Sequence, residues 1–150
     1  MPDEIEIVHI KVGSEYYKRI KQLRFEILFK PFGAEISEFK KDDELDLESY
    51  HIGAILNDEV VGYCRLSGDK KDMHISRVFV VGKLEKKGIG SKLICEALQV
   101  SKINSVRQVN LNSRIEAVKF YERFGFVAVG NSFISEFSGV ELMRMINVLI

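Results

Sequence analysis

Hydrophobic positions along this chain switch between two periods, and each switch marks an element. Over residues 4–12 they alternate, with Ile5, Ile7 and His9 on one side and Glu6, Val8 and Ile10 on the other. That is the two-residue period of a strand. Gly13-Ser14 turns the chain, and Ser14 is placed as an N-cap. Through residues 14–30 the period becomes helical: Tyr17, Ile20, Leu23, Arg24, Ile27 and Leu28 share one stripe. Pro31 stops it. Residues 31–47 keep no period and are crowded with charge (Lys40, Lys41, Asp42, Asp43, Glu44, Asp46). They read as loop with a short helix, either a substrate-contacting segment or a solvated connection.

Residues 50–56 and 60–66 are two strands around Asn57-Asp58-Glu59, a hairpin turn sequence. A polar turn over 67–72 leads to a third strand at 74–81. A helix follows to about residue 102, then a strand at 107–111, a helix at 113–124 and a strand at 126–129. Residues 131–139 form a loop and 140–148 the last strand. The element order is β-α-(α)-β-β-β-α-β-α-β-β.

Two stretches carry chemistry. In the first, residues 74–97, Ile75, Val78, Phe79, Val80 and Val81 make a buried strand that Gly82 breaks. Gly88 and Gly90 allow close backbone approach of a ligand, and Ile89, Leu93, Ile94, Ala97 and Leu98 recur at helical spacing. The unpaired amides and partial positive charge of a helix start suit a phosphate, and Lys83, Lys86 and Lys87 add full charges. A Walker loop is excluded, because Gly90 is followed by Ser91-Lys92 in the wrong order. A Rossmann fingerprint lacks its third glycine, since Leu93 stands there. In the second stretch, residues 110–126, Ser113 and Glu116 have the spacing of a capping box opening a helix. Gly125 sits where it would end that helix.

Composition changes the picture mainly by exclusion. With 150 residues the chain reads as one domain over 1–150. A net charge of zero gives no electrostatic grip on nucleic acid. No apolar run approaches the ~20 residues of a membrane span, and the acidic start (Asp3, Glu4, Glu6) is unlike a signal peptide. Cys64 and Cys95 lack metal-site spacing and read as buried core thiols, which suits a cytoplasmic protein. The apolar tail over 146–150 is suited to pairing with a partner's edge strand, as in a homodimer.

The pairing of Val80 and Lys86-Lys87-Gly88-Ile89-Gly90 with Ala117-x-x-Phe120-Tyr121-x-x-x-Gly125-Phe126 resembles the GNAT superfamily of N-acetyltransferases over about residues 50–145. A weaker likeness to its ElaA-like branch lies in Leu23-Arg24-Phe25-Glu26, Asp43-Glu44-Leu45-Asp46 with His51, and Gly62-Tyr63-Cys64-Arg65-Leu66. The resemblance implies an α/β fold whose mixed central sheet, flanked by helices, splays between the strands near 74–81 and 107–111. It implies acetyl-CoA as co-substrate, without a metal, and a primary amine of a small molecule or peptide as acceptor. The amides of Lys86, Lys87, Gly88, Ile89, Gly90 and Ser91 would hold the diphosphate. The backbone of Phe79, Val80 and Val81 would pair with pantetheine, with the Val80 amide as oxyanion donor. Tyr121 would be the acid to the departing thiolate; the motif's asparagine position falls at Arg114, so either Asn112, two residues earlier, would meet the cofactor or Arg114 would reach a phosphate. Glu85 stands where the family usually has Gln or Arg, and Gly82 where it has proline. On the acceptor side, Glu44, Asp46 and His74 are the candidates, and His51 reads as a base or a satisfied core histidine. A non-catalytic acyl-CoA-binding module is the competing reading.

Overall fold

The computed structural model describes residues 4–33, 40–84 and 87–150. Eight strands form one mixed sheet: β1 Glu6–His9, β2 Tyr50–Leu56, β3 Glu59–Gly68, β4 Asp72–Val80, β5 Gln108–Arg114, β6 Val127–Ala128, β7 Phe133–Ile134 and β8 Glu141–Val148. The order is β1-β2-β3-β4-β5-β8-β6, with β7 also on β8. Among the described residues four α-helices flank it: α1 Glu15–Arg24, α2 Lys40–Asp46, α3 Ile89–Ile103 and α4 Val118–Glu122.

Strand alternation builds a three-layer molecule. Ile52, Ala54, Cys64, Leu66, Ile75, Val109 and Leu111 meet Leu93, Ile94 and Ala97 of α3 on one face. Ile10, Ile55, Tyr63 and Phe79 meet Tyr17, Ile20 and Leu23 of α1 on the other. Ser14 caps α1 as its position predicts, accepting from Tyr17 N at 3.2 Å. Asn57 and Asp58 both take positive φ in the β2–β3 turn, the geometry of a type I′ hairpin. The helix expected over 14–30 changes character after Arg24. Phe25–Phe29 forms a π-helical turn and Lys30–Phe32 a 3-10 turn, which carries Phe29 into the interior at 3% exposure.

Five expectations are corrected. Ser113 does not cap a helix: it stays in β5, paired with Met143, and its hydroxyl donates to Arg114 O at 2.7 Å. Ile115–Ala117 is a 3-10 turn and α4 starts only at Val118. The segment expected as loop over 131–139 contains β7. Of the tail expected to meet a partner's strand, Ile146 is already paired on both sides, by β5 and β6, and the amides of Leu149 and Ile150 bind Arg107 O. Cys95 is exposed, and only Cys64 is a core thiol. No helix among the described residues is long and apolar enough to cross a membrane.

The polar centre of the α1 face is a buried ion cluster. Arg24 Nη1 donates to Asp42 Oδ2 and Asp46 Oδ2, each at 2.9 Å. Arg65 Nη1 lies 2.8 Å from Asp42 Oδ1 and 2.9 Å from Asp46 Oδ1. Arg77 Nε donates to Asp42 Oδ1 at 3.1 Å, and Tyr17 OH donates to Asp46 Oδ2 at 2.6 Å. Arg24 Nη2 also donates to Tyr63 OH, which faces His51 Nδ1 at 2.7 Å, while His51 Nε2 faces Asp46 O at 2.8 Å. A carbonyl only accepts, so Nε2 carries the ring proton and His51 is a satisfied core histidine.

Burial raises the carboxyl pKa values of Asp42 and Asp46. The facing guanidiniums, with Tyr17 for Asp46, more than offset this and hold both below the usual range. Burial lowers the pKa of His51 and of His74. Removing one partner of a buried pair strands the rest, so Asp46→Ala should cost about 3–5 kcal/mol in urea unfolding. An effect under about 1 kcal/mol would reduce the cluster to a surface ornament. The depressed histidines mean that the unfolded chain binds more protons than the folded one below about pH 6.5. The depressed carboxyls contribute fully above about pH 4 and lose that contribution below it. Melting temperature should therefore fall in two stages on acidification, below about 6.5 and again below about 4. A constant value between these points would contradict the neutral buried histidines.

Candidate active site

The site begins where the sheet comes apart. β4 and β5 run parallel and pair only at Asp72↔Gln108, Met73↔Val109 and His74↔Asn110. Past that point each strand follows its other neighbour. β4 stays on β3, with one extra residue between its Ser76↔Arg65 and Phe79↔Tyr63 pairs, a β-bulge at which Arg77 takes φ 55°. β5 stays on β8 through Arg114↔Leu142. A gap opens between β4 and β5 as expected.

Strand alternation decides which amides face that gap. Val81 N donates to Val61 O at 2.9 Å, and Val81 O accepts from Leu84 N at 2.8 Å. Val81 is therefore engaged, and the expectation that it pairs with a ligand is corrected. Phe79 lies two residues back, in register with Tyr63, so its amide also points to β3. Its side chain is buried against Tyr63. Val80, between them, turns its N–H and C=O toward the gap.

A first cavity of about 490 Å³ lies at the start of α3, lined by Val80, Leu84, Gly88, Ile89, Gly90, Ser91, Phe120 and Arg123. Gly88 is the N-cap at φ 81° and supplies no capping side chain, so the first-turn amides lack a side-chain partner. The left-handed conformation is one that glycine takes without strain. At Gly90 an added Cβ would meet Phe120 Cζ at 3.4 Å, so the small residue lets α4 approach α3. Lys87 is exposed beside the cavity. Lys86 and Glu85 lie outside the described residues. Arg123, missed in the sequence, stacks on Phe120 with its guanidinium carbon 5.4 Å from the ring centre. Its signal was the three-residue spacing from Phe120 on one helix face.

A second cavity of about 310 Å³ occupies the gap itself, where Val78, Leu111, Asn112, Ala117 and Tyr121 meet the β8 side. Tyr121 hangs from α4, whose end is locked. Phe126 N donates to Tyr121 O and Gly125 N to Glu122 O, a Schellman motif completed by the Tyr121–Phe126 ring contact at 6.0 Å. Gly125 takes φ 97° as expected of a C′ glycine. Asn147 Nδ2 donates to Phe124 O at 2.8 Å and ties that end to β8. The Tyr121 hydroxyl has no partner among the described residues, and burial pushes its pKa up to about 12. Asn112 opens on this gap and is not among the residues lining the cavity at α3.

A third cavity of about 590 Å³ adjoins the second and shares Ser76, Arg77, Asn112 and Phe137 with it; His74 and Asp42 complete its polar wall. His74 is half-buried, and its Nδ1 lies 2.6 Å from Asn110 Oδ1. Asn110 Nδ2 donates to Asp72 Oδ1 and Met73 O, so its oxygen must be the atom facing His74. His74 Nδ1 is then the protonated nitrogen, and Nε2 keeps its lone pair with no partner among the described residues. Of the expected acceptor residues, Asp46 is corrected: it is fully buried with both oxygens held by arginines. Glu44 is exposed on α2, outside these cavities. No group of three His, Cys, Asp or Glu side chains that could hold a metal occurs among the described residues.

The family model for the acetyltransferase (GNAT) domain matches residues 29–149. No curated protein matches the sequence significantly. Among solved structures, Escherichia coli ElaA is 23% identical with a TM-score of 0.79, over 96% of this chain and 99% of its own. A GNAT family acetyltransferase from Elizabethkingia anophelis, with acetyl-CoA bound, is 15% identical with a TM-score of 0.72, over 97% and 98%. An aminoglycoside 6'-N-acetyltransferase complexed with coenzyme A is 15% identical with a TM-score of 0.79, over 97% of each chain. These identities speak for the fold, and the domain match covers most of the chain. The split sheet, the uncapped glycine start of α3 and the tyrosine on α4 are thus features of a protein that belongs to the GNAT acetyltransferase family.

Proposed function

We propose that this chain moves the acetyl group of acetyl-CoA to a primary amine of a small molecule or peptide by direct attack. The observation that carries the reading is the run from the uncapped α3 start, past Val80, to the free Tyr121 hydroxyl. The amides of Ile89, Gly90 and Ser91, with Lys87 and Arg123 nearby, offer hydrogen-bond donors and positive charge to a diphosphate. An extended pantetheine arm would enter the gap between β4 and β5. Val80, with its backbone turned there, would be the pairing residue and the donor to the thioester oxygen.

The amine nitrogen attacks the carbonyl carbon with its lone pair and the π electrons move to oxygen. On collapse the C–S bond breaks, sulfur takes the electron pair, and the new ammonium gives up a proton. His74 Nε2 is the base that fits this last step, directly or through water, because its lone pair opens on the acceptor side. The Tyr121 hydroxyl faces the leaving sulfur. With a pKa pushed up to about 12, against ~8.5 for a thiol, complete proton transfer from Tyr121 is uphill by ~5 kcal/mol. Tyr121 therefore acts first as a hydrogen-bond donor to sulfur as charge builds, and the ammonium proton completes the balance.

Acetyl-CoA with a panel of amines, followed by free thiol release, tests the reading. Tyr121→Phe should lower kcat by about 10²-fold with little loss of stability, since the hydroxyl has no hydrogen-bond partner among the described residues. Full activity in that variant rejects the acid role, and acetyl-CoA binding without thiol release for any amine favours a binding module. A second prediction concerns pH. Log kcat/KM should rise with slope 1 where only the amine is protonated, and with slope 2 below the His74 pKa. That pKa lies under the ordinary ~6.5 because burial lowers it. His74→Ala should keep slope 1 throughout; an unchanged profile in that variant removes His74 from the mechanism.

A further inference from the structure

The walls of the acceptor cavities carry a charge imbalance that a simple cationic amine does not answer. Among the described residues lining the second and third cavities, the cationic side chains are Lys41, Arg65, Arg77 and Arg114, and Asp42 is the acidic one. Asp42 is already spent, since its two oxygens are shared by Arg24, Arg65 and Arg77. Across the whole cluster three guanidiniums face two carboxylates, which leaves one positive charge over.

That charge is presented by Arg77. Arg24 and Arg65 side chains are each 3% exposed, while that of Arg77 is 36% exposed. Arg77 sits at the bulge of β4 in the left-handed region at φ 55°, a conformation that costs a non-glycine residue free energy and that bulges use to re-aim a side chain. Its guanidinium is fixed on two sides, by Nε on Asp42 Oδ1 at 3.1 Å and by the Phe29 ring with the guanidinium carbon 4.8 Å from the centre. Both terminal nitrogens lack a hydrogen-bond partner among the described residues, and Ser76 and Asn112 lie on the same walls. A planar fork held by its Nε edge and with its terminal nitrogens free is shaped for a carboxylate.

We infer that the acceptor is an amine that also carries a carboxylate, and that the terminal nitrogens of Arg77 bind this carboxylate while the amine faces the gap. The inference rests on the transferase reading above and narrows its substrate class. Arg77 touches both the cavity lined by Tyr121 and the one lined by His74, so a carboxylate held there leaves the rest of a short acceptor directed at the reacting carbon.

The test uses the full chain and matched pairs: ω-amino carboxylates of two to six carbons against their carboxamides, with thiol release normalised to the free-amine fraction. The wild type should favour the best carboxylate over its amide by about tenfold or more in kcat/KM. In Arg77→Gln that ratio should collapse to near one, and Arg77→Lys should restore part of it. Equal ratios in wild type and Arg77→Gln overturn the inference. A binding arm separates it from the transferase reading. In coenzyme A-loaded protein the carboxylates should raise the melting temperature of the wild type and of Arg77→Lys, but not of Arg77→Gln. That pattern supports the inference even if no acetyl moves, and a shift in all three proteins or in none rejects it.

Discussion

The constraint on which the rest depends is the pairing of two buried guanidiniums with two buried carboxylates. Arg24 ends α1, Arg65 is in the middle of β3, and Asp42 and Asp46 occupy successive turns of α2. Such charges are costly to take from water and are tolerated only when every oxygen and most donors are matched. The matching is close to complete: Arg24 Nε is the one buried side-chain polar atom among the described residues without a partner. The consequence is geometric, since α2 cannot shift along the sheet without unpairing several charges at once. At the wall of the third cavity α2 is therefore held in place by electrostatics, where α3, on the opposite face, is held by apolar packing.

The gap and the cluster are two results of one departure from regular sheet structure. β4 gives up β5 after three pairs and spends one extra residue against β3. That residue is Arg77, which returns to Asp42 and so couples the bulge to α2. On the far side of the gap, α4 is fixed by its C-terminal motif and by Asn147 of β8. His74 and Tyr121 thus come from elements anchored to different parts of the fold, with the gap between β4 and β5 lying between them.

Much of this was legible in the sequence. The alternation over residues 4–12 gave a strand on the correct faces, 50–56 and 60–66 read as a hairpin, and Ser14, Asn57-Asp58 and Gly125 punctuated the chain as their chemistry predicts. The capping box at Ser113 and Glu116 misled because the pairing of β5 with β8 continues through Ser113 and Arg114. Ladder hydrogen bonds there outcompete a local cap, and nothing local records β8, some thirty residues later. The ion cluster was half visible. Arg24 fell on the apolar stripe of its helix and Arg65 between Cys64 and Leu66 in a buried strand. Both positions demand a buried acid, but no spacing says which, and Asp46 looked as free to meet substrate as Glu44. The tautomer of His74 could not be read at all, because it depends on a register between parallel strands joined through a helix.

The locked end of α4 also bears on how this chain can change over evolutionary time. Tyr121 O, Gly125 and Asn147 form one closed unit, so adding or deleting a residue over 123–126 would break the turn that ties α4 to β8. The neighbouring segment between β6 and β8 closes on itself, Gly139 N donating to Ser135 O, and its Phe137 ring packs against Phe29 and Phe32. A change of length over 123–126 therefore loosens the end of α4 from β8, while one over 135–139 pulls the Phe137 ring from Phe29 and Phe32.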